Sequence, residues 1–223
     1  MNADALRLYV IVDPSACAGR DPVSIARAAV RGGAGMVQLR DKRDDIPAML
    51  ELARVMGRAV REEGALFVVN DRVDVALAAG ADGAHVGQRD LPPAEARGLL
   101  GGEAVVGLSL KTAAQVDAAP VDVLSYGALG GIFPTSSKEQ DTPPAGLEGL
   151  AGLSRRLRSR APNLPVVAIS GITVENAASV VAAGADGVAV ISAVCAADDP
   201  EAAARALRRE VDGALATRLE GGR

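Results

Sequence analysis

The chain has 223 residues, 49% of them hydrophobic, with 25 glycines, two phenylalanines, two tyrosines and no tryptophan. A full-sized core fits that length, and with so few aromatics it must be built from Val, Leu, Ile and Ala, which suits buried parallel strands in an α/β protein. A net charge of −4 offers no footprint for nucleic acid or an anionic membrane, and no apolar run reaches spanning length.

The N-terminal "MNADALRLYVIVD" enters a strand at once, without the charged and apolar regions of a secretion signal. That strand is "RLYVIVD" (Arg7–Asp13), followed by an Ala-rich helix from Asp21 to Arg31. "GMVQLR" (Gly35–Arg40) precedes a helix over Ile46–Glu63, whose Met49, Leu52, Ala53 and Met56 share a face. "LFVVN" (Leu66–Asn70) leads into Val73–Ala79, and "GAHVG" (Gly83–Gly87) into Pro93–Leu100. "AVVGLS" (Ala104–Ser109) precedes a helix near Thr112–Ala119. "VDVLSYG" (Val121–Gly127) opens into a long polar loop, "GGIFPTSSKEQDTPP", and then a helix over Leu147–Arg158. "PVVAIS" (Pro165–Ser170) is followed by Val174–Ala183, and "GVAVIS" (Gly187–Ser192) by Pro200–Leu219.

That makes eight strand–helix units. "AGADGAHVG" (Ala79–Gly87) and "AGADGVAVI" (Ala183–Ile191) nearly repeat, and "RGGAGMVQL" (Arg31–Leu39) is a looser copy. In each, a helix ends at glycine and a buried strand follows within a few residues. Parallel strands joined so tightly need helical crossovers. The expected fold is a single (β/α)8 TIM barrel spanning residues 1–223, with a doubly wound open sheet as the runner-up. Cys17 and Cys195 match no C-x-x-C spacing and read as reduced thiols of a cytoplasmic protein.

A barrel carries its chemistry at the C-terminal ends of its strands. Those ends hold Gln38, Arg40 and Lys42, then Asn70 and Asp71, then Gln88 and Asp90, then Ser109 and Lys111. The sixth strand opens into Thr135, Ser136, Ser137 and Lys138, the seventh ends at Ser170-Gly171, and the eighth at Ile191-Ser192. Each has a bland reading. The run Arg40–Asp45 could be a solvated charged face, Asp71 a helix cap, Asp90 a turn residue, and His85 a packed strand histidine. Concentrated on one rim, they form a site. Two carboxylates after adjacent strands, without a Cys or His cluster, suit a hard cation such as Mg²⁺. Arg40, Lys42 and Lys138 add positive charge for a polyphosphate, and the ends of strands seven and eight suit a phosphate held by backbone N–H groups. No nucleophile–base pair and no nucleotide-binding glycine motif is present.

At these residues the chain resembles the thiamine-phosphate synthase family, from about Leu8 to Leu207. The resemblance rests on "VQLRDK" (Val37–Lys42), "VVNDRVDVALAAGADGAHVGQRDLP" (Val68–Pro92), "IFPTSSK" (Ile132–Lys138) and "ISGIT…ADGVAVIS" (Ile169–Ser192). It implies an enzyme that joins 4-amino-2-methyl-5-(diphosphooxymethyl)pyrimidine to a thiazole phosphate, releasing pyrophosphate by a dissociative route. It further implies that Gln38, Arg40, Lys42, Asn70, Ser109 and Lys138 hold the pyrimidine diphosphate, with Arg40, Ser109 and Lys138 acting in catalysis. Asp71 and Asp90 would bind Mg²⁺, and Thr135, Ser136, Ser137, Gly171, Ile191 and Ser192 would hold the thiazole phosphate. The polar loop would be a lid. Small molecules are the partners this implies, with no nucleic acid or membrane, and assembly into a homo-oligomer stays open.

The chain departs from the family pattern at Gly131, where proline is expected, at Ser170, where glycine is common, and by one extra residue between Lys138 and Asp141. Three rivals are a thiazole-phosphate tautomerase, another phosphate-sugar barrel and a non-catalytic phosphate-binding barrel. The diphosphate and carboxylate residues argue against the first, and the lack of an acid–base pair argues against the second.

Overall fold

A strand that is apolar at every position has to be covered on both faces, and "LYVIV" (Leu8–Val12) is buried at all five. In the computed structural model, which describes residues 3–135 and 143–221, closure does this. The strands are β1 (Leu8–Val12), β2 (Met36–Leu39), β3 (Leu66–Asn70), β4 (Gly83–Val86), β5 (Val105–Leu110), β6 (Tyr126–Leu129), β7 (Val166–Ile169) and β8 (Gly187–Val190). They run parallel in chain order, and β1 pairs with both β2 and β8. The sheet has no edge, so the open-sheet alternative is excluded.

The outer layer is α1 (Pro22–Arg31), α2 (Ile46–Glu62), α3 (Val73–Ala79), α4 (Pro93–Leu100) and α5 (Ala113–Ala118). It continues with α6 (Gly146–Arg160), α7 (Val174–Ala182), a four-residue α8 (Ser192–Cys195) and α9 (Pro200–Gly221). Alternation along each strand makes two cores. Leu8, Val10 and Val12 pack outward against the helices, whereas Tyr9 and Ile11 face the barrel interior with Met36, Val68, Val105, Tyr126 and Val167. Among the described residues, no helix is long and apolar enough to cross a membrane.

The near-repeats serve the strand junctions. Gly80 and Gly184 end their helices with φ of +63° and +110°. The aspartate two residues on, Asp82 or Asp186, accepts an N–H at the start of a neighbouring strand, from Phe67 at 2.8 Å and from Val166 at 2.9 Å. Two boundaries differ from the sequence reading. β6 starts at Tyr126 rather than Val121, because Val121–Val123 forms a short 3-10 turn whose Val123 carbonyl is taken by the Arg97 guanidinium. The short α8 also intervenes between β8 and α9.

Candidate active site

The same alternation decides which side chains reach the mouth. On β2 the inward Met36 is followed by Gln38 and then Arg40, whose N–H still bonds the Val12 carbonyl at 3.0 Å. On β3 Val68 is followed by Asn70, and on β5 Val105 by Gly107 and Ser109. The mouth has two connected lobes. One is lined by Gln38, Thr135, Gly171, Ile191 and Ser192; the other by Lys42, Asp71, Asp90 and Lys111. Arg40, Asn70, His85 and Ser109 line both. Every predicted site residue within the described range therefore borders one continuous cleft. Ser136, Ser137, Lys138 and the rest of the predicted lid over residues 136–142 lie outside the described residues.

The charged run after β2 is not a uniform solvated face. Arg40 forms an ion pair with the buried Asp13, which follows β1, and Lys42 pairs with Asp71 across the β2–β3 boundary. Asp41 is buried, and the hydrogen-bonded Arg43 guanidinium holds its carboxyl below the usual range. Asp45 caps α2 by accepting the Ala48 N–H at 3.0 Å. Neighbouring positions thus serve separate purposes, with Arg40 and Lys42 at the cleft.

Asp71 adopts φ +59°, a left-handed conformation that aspartate tolerates better than most residues. Its N–H donates to the His85 carbonyl at 2.8 Å. The residue capping α3 is Arg72, so Asp71 is not a cap. The Asp90 carboxylate accepts the Gly87 N–H at 2.7 Å, which does anchor a turn. Its carboxyl is nevertheless held above the ordinary range, by burial first and then by the adjacent Asp71, against the opposing pull of the Gly87 N–H and Lys42. Two adjacent carboxylates, one of which makes ionisation of the other costlier, fit a divalent cation whose charge offsets their repulsion. Among the described residues no group of three or more His, Cys, Asp or Glu side chains forms a metal cage. A cation here would rely on two carboxylates plus water and substrate oxygens, as Mg²⁺ commonly does.

The other lobe is shaped by the loop after β6. Its first residues lie along the end of β7, with the Phe133 N–H donating to the Ser170 carbonyl at 3.1 Å. A Cβ on Gly171 (φ +65°) would meet the Phe133 side chain at 2.7 Å, so the close approach requires glycine. Ser170 carries φ +96°, a strained value for a residue with a side chain. Its Oγ accepts the Gly131 N–H at 3.1 Å. The two departures at 131 and 170 are thus one feature: a proline would have no N–H to give, and a glycine no hydroxyl to receive it.

Residues 8–194 match the thiamine monophosphate synthase family model. The chain belongs to that family. It is 48% identical over 201 residues to the thiamine-phosphate synthase of Laribacter hongkongensis, covering 90% of this chain and 92% of the relative. It is 47% identical over 204 residues to that of Moorella thermoacetica, covering 92% and 95%. Among solved structures, thiamine phosphate pyrophosphorylase from Pyrococcus furiosus superposes with a TM-score of 0.83 at 36% identity, over 96% of this chain and 98% of that one. An orotidine 5'-phosphate decarboxylase from Pyrococcus horikoshii, at 16% identity and a TM-score of 0.65, shares the fold alone.

For a member of the thiamine monophosphate synthase family, sequence reasoning missed three polar residues under the cleft. Asp13 holds Arg40; its place at the end of β1 was the available signal. Tyr9 and Tyr126 lie within strand runs and are completely buried, yet their hydroxyls meet at 3.0 Å beneath His85. The cysteines, 178 positions apart in the chain, are both buried and free. Their thiols bond the Asp13 and Ile11 carbonyls, at 3.1 and 3.4 Å. They also face each other: that mutual contact lowers the Cys17 thiol and, aided by burial, pushes Cys195 far above the usual range.

Proposed function

We propose that this barrel joins 4-amino-2-methyl-5-(diphosphooxymethyl)pyrimidine to 4-methyl-5-(2-phosphoethyl)thiazole, releasing pyrophosphate and forming thiamine phosphate. The observation that carries this reading is the meeting of two unlike anion lobes at one line of shared residues, Arg40, Asn70, His85 and Ser109. The lobe lined by Arg40, Lys42, Arg89 and Lys111, with Asp71 and Asp90 to hold a cation, suits a diphosphate, which needs concentrated positive charge. The lobe with Thr135, Gly171, Ile191 and Ser192 suits a monophosphate held by a hydroxyl and backbone N–H groups.

Asp71 and Asp90 would hold Mg²⁺, which when bound would neutralise charge on the departing pyrophosphate. Arg40 and Lys42 would face the same oxygens, and Ser109 sits where the two lobes meet. Lys138 would add charge from the loop. Ser109 Oγ lies 2.8 Å from His85 Nε2, but a route in which pyrophosphate leaves first and the thiazole nitrogen then attacks the pyrimidine methylene needs no side-chain nucleophile. In such a route the chain's work is placement of two substrates and stabilisation of a leaving group. The cytoplasm, a reducing compartment, suits two facing thiols that remain free.

The test is to incubate the protein with both substrates and Mg²⁺ and to quantify thiamine phosphate and pyrophosphate. Equal amounts of the two products, dependent on Mg²⁺, are expected. Pyrophosphate release without thiamine phosphate, or no reaction at saturating substrates, would refute the assignment.

A further inference from the structure

A continuous chain of polar side chains crosses the floor of the cleft. Ser109 Oγ lies 2.8 Å from His85 Nε2, and His85 Nδ1 lies 2.8 Å from the Tyr126 hydroxyl. The Tyr126 and Tyr9 hydroxyls are 3.0 Å apart, and the Gln38 Nε2 amide donates to Tyr9. Five strands contribute one member each: β5, β4, β6, β1 and β2. Ring packing holds the middle, with His85 stacked on Tyr126 at 5.6 Å between centroids and Tyr9 edge-on to Tyr126 at 5.8 Å.

Four links need four protons, one each. Burial drives both tyrosines well above their ordinary range, so each keeps its hydroxyl proton. Among the described residues, the Tyr9 hydroxyl hydrogen-bonds Gln38 and Tyr126 alone. With Gln38 Nε2 turned toward it, a bond from the Tyr126 O–H to Tyr9 would leave the Tyr9 O–H without an acceptor, so Tyr9 passes its own proton to Tyr126. Tyr126 must then donate to His85 Nδ1, and the imidazole proton sits on Nε2, donating to Ser109 Oγ. Any other arrangement leaves a buried donor facing a donor or an O–H with no acceptor, at a cost of about 1–3 kcal/mol.

We propose that this one-directional chain makes His85, Tyr126 and Tyr9 positioning residues that couple the amide orientation of Gln38 to the hydrogen-bonding role of Ser109. Resting on the function proposed above, the coupling decides which end of the pyrimidine substrate goes where. With Nε2 committed to Tyr9, Gln38 presents its Oε1 to the cleft, an acceptor for an exocyclic amine. Ser109 receives its hydrogen bond from His85, so its own O–H is available to donate to an anionic oxygen. An aminopyrimidine diphosphate carries that donor and that acceptor. Reversing the chain would offer an amide donor to the amine and lone pairs to the diphosphate, mismatching both ends together.

The chain has one histidine, so its ring nitrogens give one pattern in a long-range ¹H–¹⁵N correlation spectrum. In the ligand-free, metal-free protein at about pH 8, above the ordinary imidazole pKa, the Nε2-protonated tautomer is expected. A proton on Nδ1, alone or together with Nε2, would overturn the assignment. The coupling is tested with Gln38→Glu at a pH where the ¹³C shift of its side-chain carboxyl shows it ionised, since a carboxylate can only accept. Tyr9 must then donate to it, and the chain reverses, so Nδ1 should gain a proton; an unchanged Nε2-only pattern would overturn the coupling. A 4-methoxy analogue of the pyrimidine diphosphate, unable to donate, should bind the wild type about tenfold more weakly than the amine; equal binding would refute the predicted polarity. The spectra need no turnover, so a failure to make thiamine phosphate would sink the function and leave the chain's direction standing.

Discussion

One methyl group at Gly107 is expected to dislodge the tyrosine that carries this chain. Gly107 lies on β5 directly beside Tyr126 of β6, and a Cβ built there falls 2.5 Å from Tyr126 Cε1 and closer still to Cζ and the hydroxyl. Ordinary carbon contacts lie at about 3.5–4.0 Å, so the ring must retreat by about 1 Å or more. Tyr126 is fully buried, so the ring can retreat only by displacing its neighbours. Overpacking of this kind costs about 1–3 kcal/mol. Displacement also strains the hydrogen bonds to His85 and Tyr9, each with a net worth of about 0.5–1.5 kcal/mol. Loss of glycine's unfolded-state freedom returns about 0.4–1 kcal/mol. Gly107→Ala should therefore destabilise the fold by about 2–5 kcal/mol, a large part of a typical 5–15 kcal/mol. The same change at Gly98, in α4 with nothing within 4 Å, should stabilise by about 0.5–1 kcal/mol. Urea unfolding of both variants, with m-values checked for constancy, measures this. The chain has two tyrosines and no tryptophan, so the near-ultraviolet tyrosine signal reports on Tyr9 and Tyr126 alone. A Gly107→Ala protein within about 1 kcal/mol of wild type, with an unchanged tyrosine signal, would refute the packing argument.

Asp90 binds its proton more tightly in the folded chain than an ordinary carboxylate does, so metal-free stability should fall as pH rises from the ordinary carboxylate value through Asp90's raised one. Asp90→Asn should flatten that slope and, like Asp71→Asn, abolish Mg²⁺-dependent turnover; full activity at limiting Mg²⁺ would remove the metal assignment. Arg40→Ala and Lys42→Ala should each weaken the pyrimidine diphosphate by about ten- to hundredfold while sparing the thiazole phosphate, as competition binding with each substrate would show. Lys138→Ala should lower kcat more than it raises either KM, because charge builds on the leaving oxygen only as the bond breaks, whereas Thr135→Ala should chiefly raise KM for the thiazole phosphate. Gly131→Pro should destabilise by more than about 1 kcal/mol in a melting experiment, since proline cannot reach φ +74° and has no N–H for Ser170.

The fold was legible in the sequence because its information is local and repeated. Eight apolar runs, each followed by a helix and joined through short turns, leave parallel crossover connections as the only economical arrangement. The cleft was legible for a related reason: in a barrel, the residue just past each strand must lie at the mouth, so Asp71, Asp90 and Ser109 could be placed without coordinates. What lies across the strands could not. The direction of the five-residue chain depends on hydroxyls brought together from β1 and β6, which sit 117 positions apart. The pairing of Arg40 with Asp13, of Lys42 with Asp71, and of Cys17 with Cys195 likewise depends on which strands become neighbours when the barrel closes. Period two assigns a side chain to a face, but only closure and register decide what stands opposite it. The start of β6 was misplaced for the same reason: "VDV" has the composition of a strand, but the Arg97 guanidinium from α4 takes the Val123 carbonyl that a ladder would have used.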